Sequence, residues 1–417
     1  MARVLHISDW HVGAALYRCD RSGDHDAVLE ETIALARVHE PDLVLHTGDV
    51  FDALMPGHRA MRQAVDALQR LAEVAPVVVI AGNHDHPRLF EVFERLVGPA
   101  APVTFVARVR RPSDGGVVER ETEAGERLRI AAVPFVHQNR FDDWFGEDMR
   151  IHATYADKLR AINRAMHDAL VDGYDASADV LLYAAHLHIA GAVLGGSERR
   201  VHVTQEYATG ADALPAVSYA ALGHIHKPQE VTGAVTAAYA GSPLALDFGE
   251  RDEQKSVVLV DCEPGRPAQL TRLPLTGARP LRLLRGPVEE VEAAARLVGE
   301  AIVKVVVETA EPVDGIVDHL RSLMPDAQIV EIVEDVASRR LEPAHLAAED
   351  REQTIDELFD EYLAEHGSST VPAGTVRDLW GAAQAAVHDE DGAIAVSDLD
   401  ELLTCELPVP AEAVVVR

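Results

Sequence analysis

Short apolar runs of strand length punctuate the first two thirds of the chain, at residues 4–8, 43–47, 77–81, 130–134, 180–185 and 218–222. Between them lie helical patterns. In residues 59–75, Met61, Val65, Leu68 and Leu71 recur at the spacing that puts them on one helical face. This alternation predicts an α/β domain over residues 1–275. The run 274–280 holds Pro274, Gly277 and Pro280 and reads as a linker. After it the pattern predicts strands at 281–284, 301–307 and 329–333 and helices at 288–298 and 313–323. That βαβαβ order predicts a small α+β module over 281–337 with its own core.

From residue 338 to 417 the composition shifts again. Residues 351–367 form an amphipathic stripe of Ile355, Leu358, Phe359, Tyr362 and Leu363, closed by Gly367. A second helix is predicted at 375–388, carrying Val376, Leu379, Trp380, Ala383 and Val387, and the tail from 408 reads extended. These helices follow a linker and have no evident core of their own, so their aromatic stripes are expected to dock on a partner.

A length of 417 residues suits two or three domains. The apolar stretch 180–194 is interrupted by His186 and His188 and is too short to span a bilayer. The first residues run straight into a strand, with no signal-peptide pattern. Cys19, Cys262 and Cys405 are isolated thiols rather than a disulfide framework, and a reducing cytoplasm is expected. The formal net charge of -31 argues against a chain that binds nucleic acid unaided. Local patches or a basic partner would have to supply what the whole lacks.

The chemistry lies where the strands end. Asp9 and His11 follow the first run, and Gly48, Asp49 and Asp52 follow the second. Gly82, Asn83, His84 and Asp85 follow the third, His186 the fifth, and Gly223, His224 and His226 the sixth. The carboxyl ends of strands are where open α/β sheets place their sites. Two divalent ions that clamp a phosphoester need mixed oxygen and nitrogen ligands and one bridging carboxylate. Asp49 is placed to bridge, Asn83 offers an amide oxygen, and His84 sits beside a ligand and could act on the phosphate. If the strands continue, Asp9 and His11 share a side, as do His224 and His226. Each cluster alone is weak: an Asp-x-His pair usually lies in a solvated turn, and Gly-Asn-His-Asp is a good turn sequence. Together and in order they point to a two-metal phosphoesterase. His6 and His46 sit inside strand patterns and read as packed, whereas His25, His39, His58 and His152 read as surface residues. Arg108, Arg110 and Arg111 could touch phosphate, but beside the acidic stretch 119–126 a solvated hairpin is the better reading.

The five clusters resemble the signature of the calcineurin-type metallophosphoesterases. Their local dressing, Ile7 to Gly13, Gly48 to Asp52, Ala185 to Ala192 and Gly241-Ser242-Pro243-Leu244, resembles the SbcD-type nuclease branch over about residues 1–260. The resemblance implies a four-layer α-β-β-α sandwich with mixed sheets, capped by the small module. It implies a first metal on Asp9, His11, Asp49 and His226 and a second on Asp49, Asn83, His186 and His224. His84 would be the catalytic histidine, and Asp52 and Asp85 supporting acids. It further implies two divalent ions, manganese for this branch, acting on DNA, with a homodimer and an SbcC-like coiled-coil ATPase in a heterotetramer. His188 could compete with His186; the spacing to Gly191 favours His186. His86-Pro87 stands where relatives often carry Ser and alters the pocket rim. The alternative is a metallophosphoesterase acting on a small phosphodiester such as a cyclic nucleotide.

Overall fold

Two six-stranded sheets pack face to face. The first runs Gln269–Pro274, Ser256–Cys262, Ala2–Ile7, Leu43–His46, Val77–Ile80, Val103–Val106. Its last four strands are parallel and its first two antiparallel. The second runs Gln229–Val231, Ala237–Tyr239, Tyr219–Gly223, Asp179–His186, Arg127–Val133, Val117–Glu121, with four parallel strands between antiparallel edges. The computed structural model describes residues 1–98, 101–137, 154–198, 207–337 and Arg377.

Three apolar layers hold the sandwich. Val4, Leu43, Leu45, Val78 and Ile80 face Leu128, Ile130, Val180, Leu182 and Ala221 between the sheets. The outer face of the first sheet lies under helices Ser22–His39, His58–Ala72 and Pro87–Val97, through Leu29, Ile33, Leu68, Leu71 and Phe90. The outer face of the second lies under Tyr155–Val171, through Leu159, Ile162 and Met166. The architecture is the expected helix–sheet–sheet–helix sandwich. Its central strands are covered on both sides, so they read as unbroken apolar runs. The strands Val103–Val106, Val117–Glu121, Ser256–Cys262 and Gln269–Pro274 were not singled out by that pattern. Among the described residues no helix is long and apolar enough to cross a membrane.

Residues 281–336 form a three-stranded parallel sheet, Leu281–Pro287, Ile302–Thr309 and Gln328–Val336, crossed by helices Val288–Ala295 and Ile316–Leu323. Val303, Val305 and Val307 fill its core with Leu320 and Val291. On the other face Leu281 and Ile302 meet Leu16 and Phe248 of the sandwich. The segment before it is pinned rather than loose: Thr276 and Gly277 donate to Glu31, and Arg279 pairs with the buried Asp24 at 2.9 Å. Apart from Arg377, the helices expected at 351–367 and 375–388, with Phe359 and Trp380, lie outside the described residues, as does His152.

One histidine departs from expectation. His25 is fully buried and bonds the carbonyls of Arg21 and Trp10 at 3.0 and 3.2 Å. It falls on the inward stripe of its helix with Val28, Leu29 and Thr32, which the surface reading overlooked. His6 is packed as expected, between the Tyr219 hydroxyl at 2.8 Å and that of Thr47 at 2.9 Å. Arg108 and Arg110 pair with Glu91 and Glu94, consistent with a neutralised surface.

Candidate metal centre

The five clusters meet at one rim. Three come from the first sheet, after Ile7, His46 and Ile80, and two from the second, at His186 and after Gly223. Except at His186, which ends its strand, the strands stop before the ligand-type residues. Asp9, His11, Asp49 and His224 all take positive φ, at 48°, 46°, 52° and 100°. Strand alternation therefore does not aim Asp9 with His11, or His224 with His226; left-handed turns do, held by cross-strand bonds from Asp9 N–H to Gly48 O and from His11 N–H to Asp49 O. Two glycines make room for this. Gly48 has φ +101°, and a Cβ there would lie 2.4 Å from His186 Nδ1. A Cβ on Gly82 would lie 2.2 Å from Asp49 Oδ1.

Asp9, His11, Asp49 and His226 are buried, and each presents a ligand atom within 4.8 Å of the others. His11 Nε2 and His226 Nε2 face each other at 3.1 Å. On the far side of Asp49, His186 Nε2 and His224 Nδ1 both lie 2.8 Å from Asn83 Oδ1 and 3.3 Å from each other. Asp49 stands between the two groups. Its Oδ1 accepts the His84 N–H at 2.7 Å, while Oδ2 is 3.5 Å from His11 Nε2 and 3.4 Å from His186 Nε2. Asp9 accepts the His224 N–H on both oxygens, at 3.0 and 3.2 Å, and so ties the two sheets together.

The electrostatics of this cluster call for cations. Burial pushes Asp9 up to about 6, against the opposing pull of His186 and His226. Burial works against a charged His186, yet the Asp49 carboxylate carries it up to about 9. Asp49 is held well below its usual range despite burial, by His186 and His84. His224 is driven well down by burial and by His186. Lone-pair nitrogens aimed at one another beside buried carboxylates form a donor set suited to divalent metal, with the mixed N/O chemistry of borderline ions. His186 donates from Nδ1 to the Thr47 carbonyl at 2.8 Å, which leaves Nε2 as the donor atom.

His186, rather than His188, is brought to Asn83 and Asp49. The strand ends at His186, and His188 belongs to a separate short pairing with Ala208, its ring 6.5 Å from that of His224. His84 is partly buried, its Nδ1 2.6 Å from the Asp52 carbonyl oxygen and its ring edge-on to His11 at 4.6 Å. Asp52 Oδ1 lies 3.3 Å from His11 Nδ1. Asp85 turns its carboxylate onto the N–H groups of Gly82, Val50 and Phe51, at 2.9, 3.2 and 3.1 Å. It clamps two ligand loops together, and burial raises it to about 7. Next to it, Pro87 opens a helix whose cap is His86, so this part of the rim serves as a helix start. Sequence reading missed the groups behind His226, namely Ser197, Glu198, Glu250 and Lys255. Of these only the neighbouring Gly241-Ser242-Pro243-Leu244 run gave any signal.

The family model described as calcineurin-like phosphoesterase matches residues 2–228. One described as type 5 capsule protein repressor C-terminal domain matches 277–367. The chain is 32% identical over 290 residues to the SbcCD nuclease D subunit of Bacillus subtilis, covering 67% of this chain and 71% of that one. It is 29% identical over 303 residues to the namesake of Rhodobacter capsulatus (67% and 73%), and 27% over 305 residues to that of Escherichia coli K12 (70% and 72%). Among solved structures, a dimetal phosphatase from Danio rerio matches at 12% identity and a TM-score of 0.37, over 66% of this chain and 99% of that one. The chain belongs to the calcineurin-like phosphoesterases and, among them, to the family of SbcCD nuclease D subunits.

Proposed function

We propose that this chain is the nuclease subunit of an SbcCD-type complex and hydrolyses DNA phosphodiester bonds at a two-metal centre. The observation that carries the reading is the position of Asp49, one carboxylate oxygen of which lies 3.5 and 3.4 Å from imidazoles of two separate ligand groups. Asp9, His11, Asp49 and His226 would hold one ion and Asp49, Asn83, His186 and His224 the other, manganese in each. Such ions, when bound, offset charge developing on the phosphoryl oxygens and activate the attacking oxygen. The protein's part is to hold these ligands rigid and to place His84. Fixed by the Asp52 carbonyl at the rim, His84 hands a proton to the leaving oxygen or stabilises the charge developing there. Asp52 keeps His11 in register, and Asp85 keeps the Asp49 and Asn83 loops together.

DNA as substrate and an SbcC-like ATPase as partner rest on the kinship with the SbcCD nucleases and on the extension beyond residue 274. Residues 338–417 would dock on that ATPase and 281–337 would cap the site. Met55 and Leu96 are large apolar side chains at 83% and 77% exposure, on the loop after Asp52 and the helix after Asp85. By the same kinship the chain would act as a homodimer within a heterotetramer, in the cytoplasm, and these two side chains would be candidate contacts. The test is hydrolysis of linear duplex DNA against bis-p-nitrophenyl phosphate and cyclic nucleotides, with and without the ATPase. Manganese-dependent cutting of DNA is expected. Turnover of cyclic nucleotides with none of DNA, even with the ATPase present, would overturn the proposal in favour of a small-phosphodiester enzyme.

A further inference from the structure

His226 is held from several sides. Its N–H donates to Glu198 Oε1 at 3.1 Å, and its carbonyl accepts from Lys255 Nζ and from the Ser242 N–H, both at 3.0 Å. Its Nδ1 lies 2.5 Å from Ser197 Oγ and 3.4 Å from Glu250 Oε1, and the Ser197 hydroxyl is itself bonded to Glu250. Only one hydrogen-bond order satisfies all three groups: His226 donates from Nδ1 to the serine oxygen, and the serine O–H donates to the carboxylate. That order leaves Nε2 without a proton, facing His11 Nε2 at 3.1 Å.

Glu250 is fully buried, unlike Asp52, the acid behind His11, whose side chain is 42% exposed. Its second oxygen accepts from Lys255 at 2.8 Å and from the Leu246 N–H at 3.1 Å. Lys255 is also buried and has a further partner in Glu253 at 2.9 Å. A buried carboxylate with this many donors is a fixed charge, not a mobile one. Its place is set from outside the site. It ends the short turn Phe248–Glu250, and Phe248 is packed among Leu16, Leu281 and Ile302 at the seam with the three-stranded sheet, with the Tyr17 ring 5.8 Å away.

We infer that Glu250 is a positioning residue for the metal centre. Through Ser197 it fixes the tautomer and ring plane of His226 and strengthens Nε2 as a donor. A carboxylate behind a ligating imidazole has this effect generally, and losing one weakens metal affinity by about 10–100-fold. The inference rests on the two-metal reading of the site. Glu253 supplies the control, since it shares Lys255 but makes no bond to His226.

The experiment is equilibrium binding of Mn2+ to the metal-stripped full chain, by calorimetry and by the electron paramagnetic resonance signal of free Mn2+. The wild type should take up two ions. Glu250→Gln should bind one as tightly as wild type and the other about 10–100-fold more weakly, while Glu253→Gln binds both normally. At saturating Mn2+, Glu250→Gln should recover most of its kcat, a separation that general loosening of the fold would not give. If Glu250→Gln fails to fold by circular dichroism, Ser197→Ala, which breaks the relay from Glu250 to His226 and leaves the Glu250–Lys255 pair in place, is read in its place with the same expectation. Two ions bound at wild-type affinity by the folded variant overturn the role of Glu250 alone. A wild type that never binds two ions overturns the two-metal reading and this inference with it.

Discussion

The metal-type rim and the three-stranded sheet of residues 281–336 lie in one chain and are built on opposite terms. At the rim, Asp9, His11, Asp49 and His224 sit in left-handed backbone that side chains other than glycine rarely adopt. In the module, the described residues with positive φ are Gly286, Gly299 and Gly315 only. The rim buries carboxylates and imidazoles against one another, while the module buries valines. On the proposed function, the contrast places the chemistry where the backbone departs from its preferred wells and is held there by buried acids and close-fitting glycines.

The sharpest way to break that contrast is to remove the residue at its centre. Asp49→Ala should lose both Mn2+ binding and cleavage, the latter to background. His84→Ala should keep both ions, by the same calorimetric titration, and lower kcat by about 10²–10⁴-fold. If Asp49→Ala kept two ions, or His84→Ala cut DNA at the wild-type rate, the roles given to these residues would be wrong.

A subtler lesion leaves every ligand in place. Gly82→Ala puts a methyl 2.2 Å from Asp49 Oδ1 and 2.3 Å from its backbone nitrogen, a clash that no rotamer can relieve. Thermal unfolding should show a loss of about 1–3 kcal/mol, and Mn2+ affinity should fall with it. Wild-type stability and affinity would mean that the rim is softer than its geometry suggests.

These three lesions also mark how far the sequence could be read. The strands that end at the rim were legible because their burial on both faces gives unbroken apolar runs, and the module was legible because Val303, Val305 and Val307 alternate with more exposed neighbours along one strand. The ligand-type residues stood out by their order and by their place after strands. What stayed hidden depends on three-dimensional approach. The left-handed turns at Asp9 and His11 look like a continuing strand. His25 shares the stripe of Val28, Leu29 and Thr32, but nothing local records that the Trp10 carbonyl takes its ring nitrogen. Glu250 and Lys255 look like ordinary members of an acidic chain until the fold sets them behind His226.

A smaller effect comes from the buried histidines of the first sheet. Burial, aided by Arg272, lowers His6 to about 3, and burial followed by His6 lowers His46 to about 3, both from an ordinary 6.5. The unfolded chain therefore takes up these protons first as pH falls. Stability from keeping the rings neutral is complete above pH 6.5 and drains away between 6.5 and 3. At pH 5 the loss is on the order of 2 kcal/mol per histidine. Urea unfolding at pH 7.5 and pH 5 should show it, and His6→Asn should lose less between the two than wild type does. Equal losses in both proteins would remove His6 from the account. The raised acids Asp9 and Asp85 act in the opposite direction, so the difference between the variants is the quantity to read, not the raw slope.

The smallest effect on chemistry is expected from the module. Val305→Ala deletes two methyl groups from the face packed on Leu320 and Val291, away from the seam formed by Leu281 and Ile302. The cost should be about 2 kcal/mol of stability, seen as a lower unfolding midpoint. Mn2+ affinity should not move, because the cavity opens on the side of the sheet that Phe248 and Glu250 do not touch. A tenfold loss of Mn2+ affinity in Val305→Ala would mean that strain in the module's core reaches the rim. The two regions would then be one cooperative body rather than a regular support beside an irregular site.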